Sequence, residues 1–291
     1  MNTIVYHTSF ETKLQERLAH PTNWKQVCKV DYTDTRTINS GYVSTVPSVG
    51  TVTRDTVANI TTAALTAQTL TISTGSSVRL QIDFGDLAQT GYNTQMELAQ
   101  EMGDLLNETI ETAVLARGSN WRDIGESGGV VTDNVTGQIT LSAANVDDII
   151  RKVRTVIRAQ NGGRLLKSKG AFIIWGATGF ELVEAYAQAN GFTEADYALK
   201  NGIEEGIKYG GVEHYLSNDN AANSLFAGVK GIERVGILRS EYGKMRQQDF
   251  PAGSSGGFFE GVLFYTRADY GHLTPGAHSE IVFEINVTNS A

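Results

Sequence analysis

The stretch DTVANITTAALTAQTLTISTGSSVRLQIDF (Asp55–Phe84), followed closely by TQMELAQEMGDLLNETIETAVLAR (Thr94–Arg117), decides how this chain folds. In the first, Val78, Leu80, Ile82 and Phe84 alternate with Arg79, Gln81 and Asp83, the period-two pattern of a half-buried strand. Leu70 and Ile72 keep the same beat between Thr69, Thr71 and Ser73. Residues 51–76 hold nine threonines and only two charges, Arg54 and Asp55, so the segment resists helix and its strand edges lack protective charge. A two-stranded arm of this kind is marginal alone in water. A neighbouring copy of the chain that pairs with its edges and covers its apolar face would complete it, which points to assembly rather than catalysis.

The second stretch predicts one long amphipathic helix. Thr94 with Glu97 three residues on fits a capping box, and Gly118 after Arg117 fits a stop. Leu98, Met102, Leu105, Leu106, Ile110 and Val114 form its expected buried stripe. A second stripe, Glu97, Glu101, Asp104, Glu108 and Glu111, stacks like charges that repel by a few tenths of a kcal/mol per pair. It is either a solvated face or a pairing surface. The basic counterpart is Arg151, Lys152, Arg154, Arg158, Arg164, Lys167 and Lys169, a run without an acid. It lies on and just beyond a second helix, which starts near Ser142, buries Val146, Ile149, Ile150, Val153, Val156 and Ile157, and ends at Asn161-Gly162-Gly163. Segregated charge of both signs on one chain suits head-to-tail association of identical subunits, against the simpler reading of a solvated face.

Around these segments the pattern is mixed. Ser9 to Leu18 places Phe10, Leu14 and Leu18 at helical spacing, and Val30 to Val49 reads as an aperiodic extended arm. A hairpin is expected over Val130–Leu141 with its turn near Gly137. Ala171–Trp175 reads as a buried strand, followed by a helix capped by Thr178. Further strands are expected at Ser224–Ala227, Arg234–Leu238, Phe258–Tyr265 and Glu280–Val287. The mixture is α+β.

Composition excludes several classes of function. The chain has 291 residues, a formal charge of −8 and a single cysteine, so it can bury a sizeable core, is not basic overall and has no internal disulfide framework. No apolar run approaches the ~20 residues of a membrane-spanning helix, and no signal-peptide pattern opens the sequence. Gly125-Glu126-Ser127-Gly128-Gly129 matches the nucleophile elbow of a hydrolase, but no apolar strand precedes Ser127 and no helix follows it. His272 and His278, near Asp269 and Glu280, lack metal-ligand spacing, and Gly253–Gly257 lacks a phosphate loop's lysine. No cofactor site is read.

The order of elements resembles the Hong Kong-type major capsid proteins of tailed bacteriophages. The resemblance is carried by LQIDFGDLAQT (Leu80–Thr90) running into an Ala- and Glu-bearing helix, by Ala171–Gly176, by Gly210-Gly211-Val212-Glu213 before Tyr215-Leu216-Ser217-Asn218, and by Tyr265–Gly271 running on to Val287. It implies an N-terminal arm at 1–50, an extended two-stranded loop at 51–90 and a long spine helix with a peripheral domain at 91–175. An inserted axial domain at 176–255 and return strands of the peripheral domain at 256–291 complete it. Contacts between identical subunits are expected at Arg54, Leu70, Ile72, Arg79, Asp83, Glu101, Asp104, Arg154 and Arg158. The implied product is an icosahedral shell of hexamers and pentamers around double-stranded DNA, assembled in the host cytoplasm, with portal and decoration proteins and a separate scaffolding protein as further partners. No membrane is implied. The family's lysine-to-asparagine cross-link is not expected, because Val30 to Arg151 holds no lysine. An encapsulin-type nanocompartment shell is the alternative within the resemblance, and a soluble serine hydrolase using Ser127 the alternative outside it.

Overall fold

Two large sheets, a two-stranded ribbon and one long helix organise the described residues. A computed structural model describes residues 12–18, 22–43, 64–83, 92–116, 120–160, 163–189, 207–217, 224–250 and 261–289. The first sheet has five strands: β1 (Lys29–Thr33), β12 (Arg234–Leu238), β14 (Gly261–Leu273) and β13 (Met245–Phe250) in that order, with β4 (Thr74–Asp83) also paired to β14. The alternation read in the sequence is real: Val78, Leu80 and Ile82 pack against the main core from β4, while Arg79 and Gln81 on the other face are exposed.

The second sheet has eight strands. β6 (Val130–Asp133), β5 (Arg122–Ser127), β15 (Val282–Asn289), β11 (Ser224–Val229), β8 (Ala171–Trp175), β10 (Val212–Leu216) and β9 (Ile207–Tyr209) lie in that order, and β7 (Ile139–Leu141) pairs with β15 beyond β5. β8 is buried at all five positions, between parallel β10 and antiparallel β11. That is why it reads as an unbroken apolar run rather than an alternating one. Trp121 stacks on Phe226 with ring centroids 4.5 Å apart, and Phe172 of β8 meets Phe226 edge to face at 5.0 Å.

The helices follow the apolar periodicity. A short helix at residues 12–18 (α1) buries Leu14 and Leu18, and α2 (Asn23–Val27) buries Trp24 and Val27. The long helix α3 is Tyr92–Leu115. In α4 (Val146–Ala159) the buried set is Val146, Ile149, Ile150, Val153, Val156 and Ile157, as the spacing predicts. α5 (Gly163–Lys169) and α6 (Ala177–Ala189) flank β8 in sequence.

Four expectations are corrected. Residues 30–43 are not an aperiodic arm: they contain most of β1 and all of β2 (Thr37–Val43), which the sequence pattern misses because Asn39, Ser40 and Gly41 interrupt the apolar alternation. The two-stranded ribbon pairs β2 with β3 (Leu65–Thr71), whereas β4 leaves it to join β14. The expected hairpin with its turn near Gly137 lies one element earlier, as β5 and β6. Its turn is Gly128-Gly129, both at positive φ (61° and 79°), the conformation a two-residue hairpin turn demands. β14 runs on to Leu273, far beyond the expected Tyr265. β12 and β13 belong to the five-stranded sheet. Arg54, the junction at 84–91 and the Gly253–Gly257 loop lie outside the described residues.

Candidate functional site

The acidic stripe of α3 is two surfaces rather than one. Helical geometry turns Ala99, Met102, Leu106, Ile110 and Val114 into the core, and Asp104, Asn107 and Glu111 lie along the border of that face. The N-terminal segment occupies this border. Arg17 Nε donates to Asp104 Oδ1 at 2.6 Å, Lys25 Nζ to Asn107 Oδ1 at 3.2 Å, and Asn23 Nδ2 to Glu111 Oε1 at 3.1 Å. Ser217 Oγ adds a 2.6 Å hydrogen bond to Glu111, which is buried. Gly103 permits the approach, since a Cβ there would stand 3.2 Å from Arg17 Cβ. Two of the five carboxylates of the stripe, Asp104 and Glu111, are therefore satisfied within the subunit. Burial drives the Lys25 ammonium down to about 8, and burial followed by the Glu233 and Glu111 carboxylates drives the Cys28 thiol well up.

The outer face of α3 carries Glu97, Glu101, Leu105 and Glu108, all exposed. Leu105 was expected in the core and is 44% exposed, between Glu101 and Glu108 at helical spacing. The 3.6-residue repeat places it just outside the buried stripe, and periodicity alone does not resolve that border. Among the described residues, Glu97 and Glu101 have no hydrogen-bond or ion-pair partner.

On α4, Arg151 pairs within its own helix, with Asp147 at 2.8 Å and with Asp148. Arg154 is half-buried, its guanidinium lying against the Gly210-Gly211 turn. Arg158, Arg164, Lys167 and Lys169 are exposed, and Lys169 Nζ reaches the Gly231 carbonyl at 3.3 Å. The basic run is thus partly a set of intrachain contacts.

The ribbon is anchored at one end and open at the other. Leu70 and Ile72 are each 1% exposed and pack with Leu238, Ile38 and Leu273 over two glycines of the five-stranded sheet. Those glycines, Gly236 and Gly271, face each other across the β12–β14 pair. A Cβ on Gly271 would stand 2.2 Å from the Thr71 carbonyl oxygen, and one on Gly236 would stand 2.6 Å from Leu70 Cδ2. At the other end Leu65 is 77% exposed. Asp83 closes β4, its Cα opposite Gly261. Arg79 and its same-face neighbour Ser77 lie opposite Tyr265 and Arg267 of β14, on a strongly cationic patch.

The decoy motifs have structural roles or none. Ser127 ends β5 opposite Val130 at an exposed hairpin tip, not between a strand and a helix. His272 Nδ1 lies 3.1 Å from the buried Glu233 Oε1, and Glu233 also accepts from Thr274, which holds Trp121 Nε1 at 2.8 Å. Among the described residues no cluster of three or more His, Cys, Asp or Glu could hold a metal ion, and no helix is long and apolar enough to cross a membrane.

No protein-family model and no curated protein matches this sequence. Solved structures do match in fold. The capsid of the cyanophage P-SCSP1u superposes with a TM-score of 0.60 at 14% identity, covering 93% of this chain and 89% of the other. The capsid of an empty GTA particle gives 0.61 at 13% identity over 91% and 89%. A virus-like particle from Pyrococcus furiosus gives 0.57 at 9% identity over 97% and 98%. Identities this low show a shared fold over nearly the whole of each chain.

Proposed function

We propose, from the capsid-protein fold of this chain, that it is the major capsid protein of a tailed bacteriophage, which self-assembles through hexamers and pentamers into an icosahedral shell around double-stranded DNA. The observation that carries this reading is the match to phage capsid subunits across about nine-tenths of both chains. In this reading α3 is the spine helix, the ribbon β2–β3 with its connecting residues is the extended loop, and the inserted segment from residue 176 holds the axial domain. The exposed ribbon end and the outer face of α3 supply surfaces for neighbouring subunits, together with Arg54, Arg79, Asp83, Arg154 and Arg158. Leu70 and Ile72 instead fix the ribbon's root and so set where it reaches. Asp104 acts through Arg17, by holding the N-terminal segment on the spine. Many weak contacts suffice, because closure engages them together. A net charge of −8 suits a wall that does not bind its genome tightly. A separate scaffolding protein, a portal and decoration proteins are the further partners of this reading.

A second reading, an encapsulin-type shell around an enzyme, is favoured by the full-length likeness to the virus-like particle from Pyrococcus furiosus. Negative-stain electron microscopy with size-exclusion chromatography tests both. Closed shells or capsomer rings are expected from the chain expressed alone or with its neighbouring genes. Nucleic acid inside supports the first reading and a co-purified enzyme the second. A monomer under every condition refutes both.

A further inference from the structure

The exposed face of the five-stranded sheet contains a cavity of about 410 Å³ in which five cations face two carboxylates. The charges are sorted by register. Gly75, Ser77 and Arg79 point to one face of β4, and their partners on β14 are Asp269, Arg267 and Tyr265. Arg267 is held by Asp269 at 2.6 and 3.1 Å, Arg36 by the same carboxylate at 3.3 Å, and Arg246 by Glu241 at 2.8 Å. Among the described residues Arg79 and Lys244 have no such partner, and both are exposed at the cavity wall. This concentration of positive charge sits on a chain whose net charge is −8.

We infer that this cavity is a socket for the Glu97–Glu101 face of α3 from a second copy of the chain, with Arg79 and Lys244 as the receiving cations. The inference rests on the proposed shell function and names one of its contacts. Glu97 and Glu101 are one helical turn apart, exposed, and unpartnered among the described residues, so each lowers the other's stability until counter-charge arrives. Arg79 and Lys244 carry the opposite and equal deficit. Leu105, one turn beyond Glu101, brings an exposed apolar side chain to a cavity whose wall includes Leu238 and Tyr265. A long polyanion is the poorer occupant, because Arg267, Arg36 and Arg246 are already neutralised by Asp269 and Glu241, and the two cations left over match two carboxylates in number. A socket and a plug at different places on one chain make a heterologous contact, which gives a ring when its rotation closes.

The test uses the full chain in four forms: wild type, Arg79→Glu with Lys244→Glu, Glu97→Lys with Glu101→Lys, and all four substitutions together. Shells are counted by electron microscopy and sedimentation velocity, and folding is checked by circular dichroism. All substituted side chains are exposed, so unchanged spectra and melting are expected throughout. Either double variant loses shells, and the fourfold variant regains them because the pairs re-form with reversed sign. Shells from either double variant at the wild-type level overturn the socket and leave the shell function standing. Loss without recovery in the fourfold variant overturns the choice of Glu97 and Glu101 as plug. A wild type that never leaves the monomer overturns the shell function, and the socket falls with it.

Discussion

Gly271→Ala is expected to loosen the ribbon from the sheet that carries it. The added Cβ would stand 2.2 Å from the Thr71 carbonyl oxygen, 3.1 Å from the Thr71 carbonyl carbon and 3.2 Å from Ile72 Cα. An ordinary carbon-to-oxygen approach is about 3.3–3.6 Å, so β3 must retreat by about 1 Å. Full release of the root would expose Leu70 and Ile72, at about 1.5–3 kcal/mol each. Overpacking with a backbone shift costs less, about 1–3 kcal/mol, and the chain takes that route. The smaller unfolded-state entropy of alanine returns about 0.4–1 kcal/mol. A net loss of about 1–2 kcal/mol follows. Gly236→Ala is the control, because its Cβ meets side-chain rather than backbone atoms: Leu70 Cδ2 at 2.6 Å, Ile38 Cδ1 at 3.2 Å and, at an ordinary contact distance, Ile72 Cγ1 at 3.5 Å. Those rotate aside for about 0.5–1.5 kcal/mol, which the same entropy gain nearly cancels. Urea unfolding of the unassembled subunit, with hydrogen exchange at β3 amides, distinguishes the two. The reasoning fails if Gly271→Ala is no more destabilising than Gly236→Ala and β3 protection is unchanged in both.

Removing Glu111 takes an acceptor from half-buried Asn23 and buried Ser217, so Glu111→Ala should lower stability by about 2 kcal/mol in urea unfolding, and Glu111→Gln by less than half of that. Lys25 has a folded pKa near 8 against an ordinary 10.5, so the unfolded chain binds more protons between those values and stability from this group rises with pH. Its cost is fully present below about pH 8, and comparison of urea midpoints should show wild type gaining on Lys25→Met from about pH 7 to about pH 10. Buried Cys28, its thiol pKa raised, should resist iodoacetamide in the native subunit at pH values where the urea-unfolded chain reacts to completion, read by mass spectrometry. A fluorophosphonate probe should label wild type and Ser127→Ala equally weakly; labelling that disappears with the serine would restore hydrolase chemistry.

Much of the layout was legible because periodicity reports directly on local burial. The β4 alternation, the unbroken apolar β8 and the six-residue stripe of α4 are each set by side chains within one element, and each folds as the spacing says. The border of α3 was not legible in the same way. Leu105 and Glu111 differ by less than two turns, yet the leucine is exposed and the glutamate buried, because α2 and Ser217 come in from distant parts of the chain to receive the carboxylate. Strand partners were hidden for a related reason. β2 and β4 are separated by β3 in sequence, and only the opposed Gly236 and Gly271 reveal that the ribbon crosses the sheet there, a close approach that glycine alone does not announce. The sequence by itself determined most of the helices and strands and an order of elements that resembles that of phage capsid subunits, since these depend on spacing along the chain. Which charges are spent within the subunit and which face outward was decided only by the tertiary structure, because an ion pair such as Arg17 with Asp104 depends on two segments 87 positions apart meeting in space.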